Sequence, residues 1–359
     1  MQNLSLNVII KILIPKLLFY FAPMKKLLLF WLLNITSLLI FAQRINQADL
    51  KLLQQKEDSA KFYSLKLIQG ITATDRFTAD SIFTKMFVRA LLTKNSFYYP
   101  FDSLESISKL VPPDSSFRIF TWQMVINENM LRQHGAIQMR TSDGSLKLFP
   151  LIDKSDITIN LSDTFANNKG WIGAVYYKII QTKSGTKNYY TLLGYDENNI
   201  RSNRKIIETL SFINDEPVFG GRLFSFEEDA VFKPAVSRYI MEYKKNAGAR
   251  LTYDNELSLV IFEHLESETG EPKKKWTFIP DGDYEAFKWK NGKWIHVEKV
   301  FNQVTPEGQA PMPNPLRDAE GNTDEDRLQN NFPDENAPRE KKEVKKDVKK
   351  VAPKKKIGQ

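Results

Sequence analysis

Two segments between residues 47 and 94 place apolar residues at helical spacing. "QADLKLLQQKEDSAKFYSLKLIQG" repeats apolar residues at about 3.6-residue intervals and stops at Gly70, a residue that ends helices. "TDRFTADSIFTKMFVRALLTK" follows, with Thr74 as a candidate N-cap and phenylalanines along one face. A third short segment, "DSLESISKLV", stops at Pro112. The pattern predicts a helical segment over residues 43–113.

From residue 114 to residue 304 the pattern changes to strands. About a dozen short runs rich in β-branched and aromatic residues, such as "SFRIFTWQMVI" and "NYYTLLGYD", are separated by turn signals such as Ser184-Gly185 and Asn291-Gly292. Helical patterns are missing between most of these runs, which favours an antiparallel meander. The predicted fold class is mainly β with N-terminal helices (α+β). The meander is expected to close as a barrel or a sandwich, with a propeller as the alternative.

The N-terminal part carries two apolar runs, residues 4–22 and 27–42. From Met24 the sequence "MKKLLLFWLLNITSLLIFAQ" has the basic start, apolar centre and small-residue end of a secretory signal. The apolar run is shorter than the ~20 residues that a spanning helix needs. We therefore expect residues 1–42 to be an N-terminal extension plus a signal peptide, with the start at Met24 and cleavage after Ala42. The alternative is an uncleaved N-terminal membrane anchor.

The composition narrows the chemistry. The chain has 359 residues, 42% hydrophobic and 26% charged, with no cysteine. This excludes thiolate nucleophiles, thiolate metal sites and lipidation of a cysteine. The formal charge of +8 overstates the basic character, because residues 43–304 carry a net charge of only +3. No specific nucleic-acid binding is predicted, since that function requires a concentrated basic face.

The C-terminal residues 305–359 have the composition of a disordered charged tail. Acidic residues dominate the first part, and the lysine-rich stretch "EKKEVKKDVKKVAPKKK" follows. Such a stretch suits a weak contact with a polyanion, although most lysine-rich ends are simply solvated.

Motifs with known chemistry are not found: there is no phosphate-binding loop, nucleophile elbow or zinc-protease motif. The three histidines, His134, His264 and His296, lie in strand-like runs without the paired spacing of metal ligands. In "IPDGDYEAF", Asp281, Asp283 and Glu285 fall on one face of an extended segment, and such a row of carboxylate oxygens suits a hard cation such as calcium. Their spacing matches no calcium loop, so we predict neither a metal nor a cofactor.

The acidic stretch Glu227–Asp229 is expected to be a solvated loop. Acid-pair hydrolysis stays open, because glycosidase carboxylates are recognised by their separation in space.

The best-defined local structure is the hairpin in "KWKNGKWIH". A two-residue turn at Asn291-Gly292 sets Lys290 opposite Lys293, Trp289 opposite Trp294 and Phe287 opposite His296. The opposed lysines repel, so the tip is expected to be in water. Candidate ligand-binding residues are those of the aromatic face: Trp289, Trp294, Phe287 and His296. The alternative is that the tryptophan pair only stabilises the sheet, as Trp122, Trp171 and Trp276 are expected to do in the core.

The chain resembles uncharacterised exported proteins of Bacteroidota-type bacteria. The resemblance rests on the signal-like stretch from Met24 and on "FYYPFDSL" and "SFRIFTWQ". It implies a periplasmic or cell-surface location and assigns no site residues. The predicted function is that of an exported, non-enzymatic binding or envelope-associated protein with an unknown ligand or partner. The alternative is a hydrolase that acts on envelope or polysaccharide material through carboxylates gathered in space.

Overall fold

A helical hairpin opens the part of the chain that the structure, a computed structural model, describes: residues 45–127 and 129–301. Helix α1 covers Gln47–Gln69 and helix α2 covers Ala73–Leu91. The N-cap of α2 is Thr72, not the predicted Thr74, because the Thr72 hydroxyl accepts from the Asp75 amide and Asp75 accepts in return from the Thr72 amide. Neither helix has the length and apolar composition needed to cross a membrane.

Fifteen strands follow in the described residues. They are β1 (Ser108–Leu110), β2 (Phe117–Asn127), β3 (Met130–Met139), β4 (Lys147–Ile152), β5 (Ala166–Asn167), β6 (Val175–Ser184), β7 (Lys187–Asp196), β8 (Ser202–Ile213), β9 (Glu216–Phe219), β10 (Phe224–Ser225), β11 (Arg238–Lys244), β12 (Leu251–Asp254), β13 (Leu259–Ser267), β14 (Phe278–Lys290) and β15 (Lys293–Val297). Short 3₁₀ turns lie at Ser96–Tyr98, Leu161–Asp163 and Lys275–Thr277.

The strands form three sheets. The first sheet has the order β1-β2-β3-β4, the middle sheet β5-β9-β8-β7-β6, and the third sheet β10-β15-β14-β13-β12. Strand β11 pairs with the first half of β8, beside the place where β9 pairs with its second half. Neighbouring strands are antiparallel except for the short parallel pair β10–β15. The predicted antiparallel, mainly β fold with N-terminal helices is confirmed.

Alternating side chains stack these elements in layers. On β2, Phe120 and Trp122 pack under the helices, whereas Phe117 and Ile119 face the middle sheet. On β8, neighbouring Ile206 and Ile207 point to opposite sides, towards the first and third sheets respectively. The order is therefore helices, first sheet, middle sheet, third sheet. Among the described strands no sheet closes into a barrel, and the packing is sandwich-like.

The third predicted helix is not helical. Within "DSLESISKLV", residues 108–110 form β1 and pair with residues 119–121 of β2. Pairing along an open sheet edge outweighs a weak helical pattern in so short a segment. The predicted signal peptide in residues 1–42 and the predicted tail in residues 305–359 lie outside the described residues.

A buried ion pair lies within the middle sheet. Glu208 on β8 and Arg238 on β11 are directly opposed, and the Arg238 Nε donates to Glu208 Oε2 at 2.7 Å. The Tyr176 hydroxyl also donates to Glu208, and Trp171 Nε1 donates to the Tyr176 oxygen at 2.7 Å. Burial, the first cause, and the Glu208 charge raise the pKa of Tyr176 well above its usual value. Both charged side chains of the pair are fully buried, so this network is structural.

Candidate functional site

The β14–β15 hairpin has the register that the sequence predicts. Trp289 pairs with Trp294, Phe287 with His296 and Lys290 with Lys293. Asn291 and Gly292 have φ angles of 52° and 80°, as a two-residue turn of this kind requires. Both tip lysines are exposed, which confirms that the tip is in water.

The aromatic face of this hairpin packs against the middle sheet. Trp294 and Phe287 are both 0% exposed, and Trp294 Nε1 donates to Thr191 Oγ1 at 2.8 Å. Trp289 is half-buried, with its Nε1 donating to the Lys183 carbonyl oxygen at 3.2 Å. Of the two readings that the sequence leaves open, a ligand-binding aromatic face and a tryptophan pair that stabilises the sheet, this burial favours the second: both indoles lie within or beside the core between two sheets.

His296 marks the place where this core meets a charged cluster. The residue is 3% exposed, and its ring lies 5.1 Å from the Phe226 ring. Its Nδ1 is 2.8 Å from Asp229 Oδ1, and its Nε2 is 3.4 Å from Glu285 Oε2. Burial alone would lower the pKa of His296, but hydrogen bonds and charges from Glu285 and Asp229 outweigh it and raise the pKa above its usual value.

His264 approaches the same carboxylate from the neighbouring strand. Its Nδ1 lies 2.6 Å from Asp281 Oδ2, and its Nε2 lies 3.8 Å from Glu285 Oε1. Burial, the first cause, would raise the pKa of Asp281, but hydrogen bonds from the Asp283 amide and from His264 lower it overall. Glu285 is thus flanked by two imidazoles, and each imidazole has an aspartate at its other nitrogen. We call these residues the Glu285 cluster: Asp229, His264, Asp281, Glu285 and His296.

The candidate metal ligands separate in the structure. Asp281 and Glu285 both contact His264, whereas Asp283 contacts Lys299, with 3.2 Å between Asp283 Oδ2 and Lys299 Nζ. Within residues 45–127 and 129–301, no three histidine, aspartate or glutamate side chains are grouped as a metal site requires. The alternation of acids along β14 therefore supplies partners for a histidine and a lysine.

The Glu285 cluster borders a groove of about 530 Å³ between β11, β13, β14 and the turn at residues 159–162. Its lining combines both signs of charge with aromatic rings: Arg204, Lys233, Glu242, Glu263, Lys275, Phe226, Tyr239 and Phe278 also face it. Several of these charges already have partners, since Arg204 pairs with Glu242 at 3.1 Å and Lys233 pairs with Asp229 at 3.1 Å. Lys275 contacts the Phe278 ring and pairs with no carboxylate among the described residues.

An exposed indole lies beside this groove, at Trp276. This residue is 38% exposed and sits between Lys275 and Phe278, both of which line the groove. The Arg201 guanidinium lies 5.6 Å from its ring. The expectation that Trp276 belongs to the core is therefore wrong, because its segment forms a 3₁₀ turn instead of a strand. Trp122 and Trp171 are core residues, as expected.

Asp229 is a second residue that the sequence pattern misplaced. The solvated loop expected at Glu227–Asp229 holds for Glu227 and Glu228, which are exposed and contact the tip lysines. The Asp229 side chain, in contrast, is fully buried against His296. The third histidine, His134, lies elsewhere, stacked on Trp122 with 5.8 Å between ring centroids.

Comparison of the chain with protein-family models, with curated proteins and with solved structures found no match.

Proposed function

We propose that this chain is an exported, non-enzymatic binding protein and that the groove beside the Glu285 cluster is its ligand site. The export part of the proposal is supported by the signal-like sequence from Met24 to Gln43. The binding part is supported by a concave surface in the described residues that combines several aromatic rings, both signs of charge and a lysine, Lys275, without a carboxylate partner there.

The groove suits an acidic oligosaccharide. Sugar hydroxyls need acceptors, and Glu285 and Glu263 offer carboxylate oxygens at the lining. The apolar faces of sugar rings pack on aromatic side chains, which Phe278 and the adjacent exposed Trp276 provide. Lys275 supplies a cation without a carboxylate partner among the described residues, so an acidic group on the ligand would pair with it.

Calorimetric titration of the purified chain with two matched probes tests this function. We expect a galacturonic acid trimer to bind more tightly than the neutral galactose trimer, because only the former has carboxylates for Lys275. Lys275→Ala should weaken binding of the acidic trimer by about 10-fold, as expected for one charge-assisted contact. Lys187→Ala is the matched control, since Lys187 also lies over a ring, that of Tyr189, but outside the groove. If the acidic trimer does not bind, or if the two lysine variants weaken its binding equally, the proposal is wrong.

Hydrolysis of polysaccharide remains a second candidate, favoured by one observation. Glu285 lies at a groove, next to two imidazoles that are oriented by aspartates, and such an arrangement can accept and donate protons. Release of reducing ends from the galacturonic acid trimer by the intact chain, lost in Glu285→Gln, would replace the binding function by this one. Unchanged trimer after prolonged incubation with the chain would exclude hydrolysis of this substrate.

A further inference from the structure

The hydrogen bonds at the two imidazoles restrict where their protons lie. An ionised aspartate only accepts hydrogen bonds, so the Nδ1 of His264 and the Nδ1 of His296 each carry a proton towards Asp281 and Asp229. Each Nε2 then faces Glu285 either with a second proton or with a lone pair. A lone pair directed at a carboxylate is repulsive, so at His296, whose Nε2 is 3.4 Å from Glu285 Oε2, the geometry favours the doubly protonated ring.

The charges around the cluster favour proton uptake as well. Three carboxylates, those of Asp229, Asp281 and Glu285, face the two imidazoles, and Lys233 is the one cation paired with them among the described residues. With neutral rings the cluster is anionic, and a proton on His296 reduces that negative charge. Nearby β11 contributes the Tyr239 hydroxyl, which donates to Glu285 Oε2 at 3.5 Å. Burial, followed by the Glu285 charge, raises the pKa of Tyr239 well above its usual range, so the hydroxyl stays protonated.

The remaining neighbours do not cancel this preference. The rings packed against His296 are apolar, from Phe226, Phe262 and Phe287. The other charged residues at the groove are Arg204 and Glu242, which pair with each other, together with Glu263 and Lys275. Beyond Asp281 on β14, Asp283 pairs with Lys299.

We propose that the groove binds its acidic ligand together with a proton, which His296 takes up at the groove wall. This inference rests on the proposed function and adds its regulation: the cluster repels an acidic ligand more strongly when the His296 imidazole is neutral than when it is protonated. The ligand is held at mildly acidic pH and is released as the pH rises. By linkage, binding of the ligand draws a proton onto the same ring.

Histidine resonances test the proton site without any ligand. The chain has three histidines, so each resonance of the full chain can be assigned with single His→Gln variants and followed from pH 5 to pH 9. We expect His296 to titrate above the usual midpoint of about 6.5. Glu285→Gln should move that midpoint to lower pH, whereas Glu263→Gln should leave it in place, because Glu263 lines the groove but bonds to Tyr284 and the Arg250 amide. If Glu285→Gln leaves the titration midpoint of His296 unchanged, the inference is wrong.

Calorimetry of the same chain tests the coupling. Binding of the galacturonic acid trimer should be about 3- to 10-fold tighter at pH 5.5 than at pH 8, the size expected for one modest electrostatic interaction. Titrations at pH 7 in two buffers of different ionisation enthalpy should reveal proton uptake, which His296→Gln reduces and His134→Gln does not. Equal affinity at both pH values would remove the coupling and leave the binding function standing. Absence of binding at every pH would remove the proposed function, and the coupling with it.

Discussion

Glu208 and Glu285 contact opposite faces of β11 and have similar partners, but only Glu285 borders a groove. Arg238 and Tyr239 are neighbours on this strand and point to opposite faces. Arg238 pairs with Glu208, whereas the Tyr239 hydroxyl donates to Glu285. Both carboxylates accept from a tyrosine and pair with nitrogen bases. Glu208 is fully buried with a permanently charged arginine, while the Glu285 side chain is 16% exposed beside two histidines.

The difference lies in what pH can change. An arginine keeps its charge throughout the physiological range, so the Glu208 pair has one state and serves stability. A histidine changes its charge near neutral pH, so the Glu285 cluster has several protonation states. Water and ligands can reach Glu285 from the groove, whereas the Glu208 side chain is fully buried. The Glu208 site, buried and paired with an arginine, is therefore structural. The Glu285 site, which borders a groove and contacts histidines, is the candidate functional site.

The matched substitutions Glu208→Gln and Glu285→Gln test this separation most directly. Glu208→Gln should lower the free energy of unfolding by about 3–5 kcal/mol, because it leaves the Arg238 cation buried without a counter-charge. Glu285→Gln should cost less than about 1.5 kcal/mol, because the amide still accepts hydrogen bonds and the site is partly open. Urea unfolding followed by tryptophan fluorescence measures both. Equal losses in the two variants would mean that Glu285 is as structural as Glu208.

The two indoles of the hairpin sharpen the same contrast within one interface. Trp294→Phe should destabilise the chain by about 2 kcal/mol, because it opens space in the core and leaves the Thr191 hydroxyl without its donor. Trp289→Phe should cost about 1 kcal/mol or less, since that ring is only half-buried and the bond it loses is partly exposed. The same unfolding measurement applies. If Trp289→Phe lowered the free energy of unfolding more than Trp294→Phe, Trp294 would not be the main core residue of this hairpin.

The hairpin was predictable because its information is local. Asn291-Gly292 requires a two-residue turn, and that turn alone sets which residues of β14 and β15 face each other. Burial of the face was not predictable, because it depends on the middle sheet, whose Thr191 is about a hundred residues away in sequence. The sequence left both an exposed platform and a core edge open, and packing between sheets decided for the core.

The Glu285 cluster was missed for a specific physical reason. Asp281-Gly282-Asp283 carries strong turn signals, so the sequence pattern does not indicate one long strand that places this stretch beside His264. In the structure one strand, β14, runs through this stretch with Gly282 at a φ of 96°, and β13 pairs along it with a register shift beside His264. That shift places His264 next to Asp281 and Glu285. A β13–β14 hairpin drawn from the alternating residues of both runs would have suggested part of this contact, whereas Asp229 reaches His296 from a distant loop.

The pH dependence of stability is the smallest expected effect, and it depends on the histidines. The folded-state pKa of His296 is raised, so its contribution to stability is present below the unfolded value of about 6.5 and is lost as the pH rises through the folded value. Burial, the first cause, lowers the pKa of His134 despite the nearby Asp80, so the contribution of His134 is present above about 6.5 and is lost as the pH falls. The two histidines therefore act in opposite directions.

Unfolding free energies of the chain between pH 5.5 and pH 8.5 separate the two contributions. Relative to the unsubstituted chain, His296→Gln should lose most stability at the acidic end and least at the alkaline end. His134→Gln should show the reverse trend and is the matched control, since both substitutions replace a histidine that is largely buried within a strand. If the stability of the two variants changed with pH in the same direction, Glu285 and Asp229 would not stabilise a charged His296. The distinction between the structural ion pair at Glu208 and the pH-sensitive histidine beside Glu285 would then fail.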